Sequence, residues 1–163
     1  MKHNKQATVL EFLTSFIEIV VHATEDKMRI ISSILSILEI PLQEKFNEIQ
    51  YEGHWGNKIL RLTTEINNKE AQTLIEKILK SLSFTEKEYL ITALDKHIDE
   101  KGNFYLRLDK QKLCKNKISL SETEGIKIKF KINKNRIIQN KKSGNVENEI
   151  YFLYRRLILS LEK

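Results

Sequence analysis

Residues 125–133 read GIKIKFKIN, in which lysine alternates with isoleucine or phenylalanine. Side chains of a β-strand point alternately to its two faces, so this segment is predicted to be a strand with one apolar face. Lys127, Lys129 and Lys131 then share the opposite face, about 7 Å apart along the strand. Such a strand suits an antiparallel sheet that has one buried face and one face open to solvent.

The rest of the chain supplies partners for this strand. Hydrophobic periodicity predicts a strand over residues 14–24, a helix ending before Pro41, and a hairpin of strands over 46–51 and 59–66. Two helices and a strand over 103–109 follow, and after the lysine strand come a polar loop over 134–145 and a helix over 146–163. We therefore predict an α+β fold with an antiparallel-rich open sheet, helices packed on one face, and a C-terminal helix. Residues 1–133 are predicted to form a single domain.

Capping residues and apolar spacing locate the helices. Thr24 is a predicted N-cap, and Thr85 with Glu88 forms a predicted capping box. The C-terminal helix has more apolar residues than one buried face needs, so we expect it to pack on the domain or to contact a partner. Its predicted inner face consists of Ile150, Leu153, Leu157 and Leu161.

The net charge of +6 is unevenly distributed. Residues 1–101 contain 13 basic and 16 acidic residues, whereas residues 102–163 contain 15 basic and 6 acidic residues. A localised positive charge favours nucleic-acid binding, and the alternative is a solvated lysine-rich surface. A single cysteine, Cys114, no signal peptide and no apolar run long enough for a membrane span lead us to expect a cytoplasmic protein.

The lysine row, Lys127, Lys129 and Lys131, has a spacing close to that of phosphates along a single nucleic-acid strand, about 6–7 Å. The alternative is an exposed or edge strand on which lysines prevent aggregation. Tyr105 and Arg107 are predicted to point outward from the preceding strand, where tyrosine stacks on bases and arginine binds phosphate. The alternative for Arg107 is a cross-strand ion pair, for example with Glu65.

Three other parts of the chain are predicted to add to the nucleic-acid surface. Arg61 points outward from the second hairpin strand and extends the basic face, and Lys110 follows the Tyr105 strand. His54 and Trp55 occupy the hairpin turn, where a tryptophan stacks on bases or, alternatively, covers the edge of the core.

No catalytic or metal-binding pattern is present in the sequence. The four histidines and Cys114 do not occur at the spacing of zinc ligands, and there is no phosphate-binding glycine loop or nucleophile elbow. We therefore expect a protein that is not an enzyme and that needs no cofactor or metal.

Four segments carry a resemblance to a known family: VHATED (21–26), YEGHWGNKI (51–59), LDKHIDEKGNFYLRLDKQ (94–111) and GIKIKFKI (125–132). In this order they resemble an archaeal family of predicted RNA-binding proteins, also described as a predicted exosome subunit. The resemblance covers about residues 16–133. The motif positions are Glu25, Asp26, Gly53, His54, Gly56, Asn57, Arg107, Asp109, Lys110 and Gln111.

The resemblance implies RNA binding rather than catalysis, and a fold similar to that of the large-subunit ribosomal protein that binds 5S RNA. We therefore expect a non-catalytic RNA-binding protein associated with archaeal RNA processing or the exosome. The alternative is a protein-interaction subunit of an RNA-processing assembly, which docks on a protein partner or a second copy through its C-terminal helix. The expected RNA contacts are His54, Trp55, Arg61, Tyr105, Arg107, Lys110, Lys127, Lys129 and Lys131.

Overall fold

The computed structural model describes residues 9–41, 46–140 and 144–161. Strands and helices are interspersed along these residues, and two of the strands are adjacent in sequence. In chain order the elements are β1 (Phe12–His22), α1 (Lys27–Ile37), β2 (Asn47–Glu52), β3 (Lys58–Asn67), α2 (Asn68–Ser81), α3 (Phe84–Thr92), α4 (Leu94–His97), β4 (Phe104–Leu108), α5 (Lys110–Leu113), β5 (Ile126–Ile132), α6 (Lys134–Asn140) and α7 (Val146–Ser160).

The five strands form one antiparallel sheet in the order β2-β3-β1-β5-β4. The longest strand, β1, lies at the centre and pairs with β3 on one side and β5 on the other. The predicted α+β class and open antiparallel sheet are therefore confirmed. Gly125 leads into β5 where a Cβ atom would lie 2.2 Å from the backbone oxygen of Leu108, so only glycine fits this approach to β4.

One face of the sheet is buried beneath the helices. The alternate residues Ile17, Ile19 and Val21 of β1 are fully buried, and α2 packs across β1 and β3. The apolar residues of β5 face the same core, as their alternation with lysine predicts. The opposite face, which we call the open face, carries the other alternate residues and is accessible to solvent within the described residues.

Two helix starts differ from the prediction by about one turn or less. Asp26, and not Thr24, caps α1, and its carboxylate accepts a hydrogen bond from the backbone N–H of Arg29. The capping box of α3 is formed by Ser83 and Glu86, and not by Thr85 and Glu88. The Glu86 carboxylate also accepts hydrogen bonds from the segment before β5, which selects the earlier pair.

The predicted polar loop over 134–145 was wrong in part, because α6 occupies Lys134–Asn140 and buries Ile137. In α7, Ile150 and Leu153 are buried as predicted. The rest of the buried face is rotated, so that Tyr154 and Ile158 are buried while Leu157 and Leu161 are only partly buried.

Tyr154 attaches α7 to the rest of the protein. Its ring stacks on Phe104 at 4.9 Å and lies 6.4 Å from Phe12, and its hydroxyl donates a 2.7 Å hydrogen bond to the carbonyl of Gly102. Burial, with a smaller effect of the charge of Asp99, raises the pKa of the Tyr154 hydroxyl well above its usual value. The C-terminal helix therefore packs on the sheet and shares its core.

Replacing Tyr154 by phenylalanine should lower the free energy of unfolding by about 1–2 kcal/mol, because the buried Gly102 carbonyl is left without its donor. Urea unfolding of the variant measures this change. Tyr89→Phe is the control, since Tyr89 lies on the surface of α3. Equal losses of stability in the two variants would contradict a specific role for the buried hydroxyl.

Candidate nucleic-acid interface

The lysine row of β5 lies on the open face of the sheet. Lys127 and Lys131 are exposed and Lys129 is partly exposed, whereas the intervening Ile128 and Phe130 are buried. Across β1 the three lysines face Glu18, Phe16 and Thr14 in register. The row thus lies one strand from the sheet edge and runs along the surface rather than along that edge.

Tyr105 and Arg107 of β4 lie beside this row, as predicted. Tyr105 is opposite Lys129, whose ammonium is 5.5 Å from the centre of the tyrosine ring. The Tyr105 hydroxyl donates a 2.9 Å hydrogen bond to Asp99, which holds the ring at the surface. Tyr105 therefore presents an aromatic surface next to a cation.

Arg107 is held by the chain itself. It lies opposite Lys127 in register, and its guanidinium donates to the backbone carbonyl of Thr123. The alternative of an ion pair with Glu65 was wrong, because Glu65 lies on β3, beyond β5 and β1. The Thr123 interaction fixes the guanidinium at the end of the row.

Glu18 of β1 is a carboxylate in the middle of this basic surface. It accepts a 2.7 Å hydrogen bond from Nε of Arg61 and a second from the same guanidinium, and it lies 3.5 Å from the ammonium of Lys127. Hydrogen bonding to Glu18 raises the pKa of the Arg61 guanidinium further. Arg61 does lie on the open face as predicted, but Glu18 balances its charge.

Phe16 was not among the predicted site residues, yet it is 37% exposed at the centre of the sheet. Phe16 faces Lys129 on one side and Glu65 on the other. Because Phe16 alternates with the core residue Ile17, the sequence indicated that its side chain points to the opposite face of the strand. A groove of about 750 Å³ runs over this ring, and it is lined by Leu13, Thr14, Phe16, Glu18, Glu65, Tyr105, Lys127, Ile128, Lys129 and Lys131.

Lys110 does not lie on the open face, which corrects the prediction. It is buried, and its ammonium donates to the carbonyl of Val20 at 2.7 Å and to the carboxylate of Glu25 at 2.8 Å. The Glu25 carboxylate also accepts from the backbone N–H of His22 and from the side chain of Gln111. Two of the motif segments thus meet in a structural contact between the end of β1 and the start of α5.

Hydrogen bonding controls the ionisation of Glu25. Burial opposes ionisation, but the hydrogen bonds from the His22 backbone and the Lys110 ammonium outweigh it and lower the pKa of the Glu25 carboxyl. The carboxylate is therefore ionised in the folded protein over a wider pH range than in the unfolded chain.

His54 and Trp55 lie at the tip of the β2–β3 hairpin. Gly56 has a positive φ of 75°, which completes the turn between the strands. Trp55 is 88% exposed and contacts His54 edge-to-face with ring centres 4.8 Å apart. The alternative that Trp55 covers the edge of the core was therefore wrong.

Within the part of the chain that the structure describes, no cluster of three or more histidine, cysteine or acidic residues has the arrangement of a metal site. Among the described helices, none combines the length and the apolar character that crossing a membrane requires.

A family model described as RNA binding matches residues 16–134, which include Phe16, Tyr105 and the lysine row. The chain belongs to this RNA-binding family. The match begins in β1 and ends at the start of α6, so it reaches all five strands of the sheet. The predicted membership is confirmed.

Similar proteins agree with this assignment. The chain is 33% identical to a protein of Pyrococcus abyssi named RNA-binding protein PAB1135, over 110 residues that span 65% of this chain and 71% of the relative. It is 28% identical to protein SSO0741 of Sulfolobus solfataricus, whose crystal structure is described as belonging to the DUF54 family. That structure superposes with a TM-score of 0.66 over 90% of this chain and 98% of its own.

Replacing Lys110 by methionine should lower the free energy of unfolding by about 2 kcal/mol near neutral pH, because a buried, charged hydrogen bond is removed. The folded pKa of Glu25 is below its unfolded value of 4.5, so this stability is present above pH 4.5 and is lost as pH falls through the folded pKa. The difference between the two proteins should therefore shrink in acid.

Urea unfolding of the wild type and the variant between neutral and strongly acidic pH tests whether their stability difference shrinks in acid. Lys112→Met is the matched control, since Lys112 is exposed two residues further along α5 and its replacement should cost little. A stability difference that stays constant down to strongly acidic pH would contradict the role assigned to Glu25.

Proposed function

We propose that this chain is a non-catalytic RNA-binding protein that holds RNA on the open face of its sheet. The observation that carries the proposal is the lysine row, Lys127, Lys129 and Lys131, which lies along the surface next to the exposed rings of Phe16 and Tyr105. Membership of the RNA-binding family and the name of the Pyrococcus abyssi relative support it.

The lysine row would contact phosphates. Alternate residues of a strand are about 7 Å apart, and a row of lysines at this spacing suits successive phosphates of an extended RNA strand. Such contacts set affinity and position but carry no sequence information. Arg107 and Arg61 would add charge at the Lys127 end of the row, although Arg107 shares its guanidinium with the Thr123 carbonyl and Arg61 with Glu18.

The hairpin tip would be a second contact. Trp55 is the most exposed large aromatic side chain among the described residues, and His54 contacts it edge-on. A stacking ring outside the sheet lengthens the path that one RNA strand can follow. Lys110 has no part in this surface, because its ammonium is bound to Glu25 inside the fold.

We further propose that the protein acts in the cytoplasm, which its single cysteine favours, and that it takes part in RNA processing or the exosome, as the family resemblance implies. The alternative is a protein-interaction subunit that docks through α7, where Phe152 and Leu159 remain exposed on the side away from the core. Purification from the native host separates the two functions. RNA recovered without protein partners favours direct RNA binding, and partners recovered after ribonuclease treatment favour docking.

Replacing Lys127, Lys129 and Lys131 together by glutamine should weaken RNA binding strongly and reduce its salt dependence. For a single strand, the slope of log affinity against log salt should become shallower by about 0.7 for every phosphate that the variant no longer neutralises. Fluorescence anisotropy with a mixed-sequence RNA at rising salt measures both quantities.

The control variant replaces Lys69, Lys77 and Lys80 by glutamine; these lysines lie on α2 in the helical layer. It removes the same charge from the other side of the protein and should bind RNA almost as well as the wild type. Equal losses of affinity in the two variants would show that net charge, and not the open face, binds RNA.

A further inference from the structure

The groove beside the lysine row contains groups that phosphate binding does not require. Phe16 lies in its floor, Tyr105 at its β4 side and Glu65 at its β3 side. An exposed phenyl ring and a carboxylate are poor partners for a phosphate chain. Their presence in a basic groove indicates a ligand with a flat apolar surface and hydrogen-bond donors, as well as negative charge.

Phe16 has a flat, partly exposed ring at the centre of the open face, with Lys129 and Glu65 opposite it on the two neighbouring strands. Bases stack on exposed aromatic rings when they are unpaired, whereas bases in a duplex are already stacked on one another. Tyr105 lies two strands away from Phe16, directly across the sheet and about 10 Å from it, with Lys129 of β5 between them. This separation suits two nucleotides of one strand whose phosphates lie on the lysine row.

Glu65 differs from Glu18, the other acidic residue of the groove. Glu18 is bound to Arg61 and lies beside Lys127, whereas Glu65 has no hydrogen-bond or ion-pair partner among the described residues. Glu65 is exposed and lies directly opposite Phe16 across the β1–β3 pair. A base stacked on Phe16 would therefore have its edge within reach of this carboxylate.

The chemistry of the base edges selects one base. An ionised carboxylate only accepts hydrogen bonds. Guanine presents two adjacent donors, N1–H and the N2 amino group, on its Watson–Crick edge, and so pairs with both oxygens of a carboxylate. Adenine, cytosine and uracil each present a single donor group on that edge.

We propose that the groove binds an unpaired guanine, stacked on Phe16 and held through its Watson–Crick edge by Glu65. The next nucleotide stacks on Tyr105, and the phosphates of both lie on the lysine row. This inference rests on the proposed RNA binding and adds the strand state and the base that the site selects. Because a negative charge next to RNA phosphates weakens binding, Glu65 serves selection rather than affinity.

Anisotropy titration with an oligouridine of about eleven nucleotides tests the base preference. The central position is changed to guanine, inosine, adenine or cytosine. We expect the guanine oligomer to bind about tenfold more tightly than the adenine and cytosine oligomers, as one bidentate contact allows. Inosine lacks the N2 amino group and should lose most of this gain, and a duplex of the same sequence should bind more weakly.

Two variants assign the preference to the groove. Glu65→Gln should abolish the guanine preference while binding of plain oligouridine stays equal or rises, because a negative charge is removed. Phe16→Leu should weaken binding of every unpaired oligomer about tenfold, and Phe16→Tyr should restore it by keeping the ring. Glu88→Gln on α3 is the charge control, and thermal unfolding establishes that each variant is folded.

The outcomes separate the two proposals. This inference is overturned, and the proposed function stands, if RNA binding is salt-sensitive and depends on the lysine row but shows no guanine preference. The same holds if a guanine preference survives Glu65→Gln. No binding of any RNA by the folded wild-type protein overturns both.

Discussion

The pairing of β1 with β5 determines which side chains face the core and which face solvent. In this register Ile17 lies opposite Ile128, and Phe16 lies opposite Lys129. A shift of one residue would bury the lysine row and expose the isoleucines, so burial of the core side fixes the open face as well. The chemistry of the open face is therefore a consequence of how the core packs.

The same register explains why the basic surface is stable before any ligand binds. Glu18 lies between Arg61 and Lys127 and reduces the repulsion among closely spaced cations. The pairs are partly exposed, so their contribution to folding is small and salt-sensitive. The pairs matter more for the groove: Glu18 is bound to Arg61 and Lys127, whereas Glu65 has no partner among the described residues.

The alternation of β5 was sufficient to predict this strand, its two faces and the lysine row, because a period of two specifies both a strand and its buried side. Phe16 was missed although its alternation with Ile17 was the available signal, because a phenylalanine in an apolar strand is otherwise typical of a core residue. Lys110 was assigned to the surface because its partner Glu25 is 85 residues away in sequence. The alternative that Trp55 covers the edge of the core came from the average burial of tryptophan side chains in proteins. That average does not apply at the tip of this hairpin, because its first strand, β2, is exposed along its length.

Chemical-shift mapping of the protein with a short unpaired RNA tests the central claim most directly, because it reports the bound surface without any substitution. If the open face binds RNA, the backbone amides that change most will belong to β1, β5 and β4, with Phe16, Tyr105 and Lys129 among them. The helical layer, including α2 and α7, will change little. Shifts confined to α2 or α7, with the open face unchanged, would contradict the account.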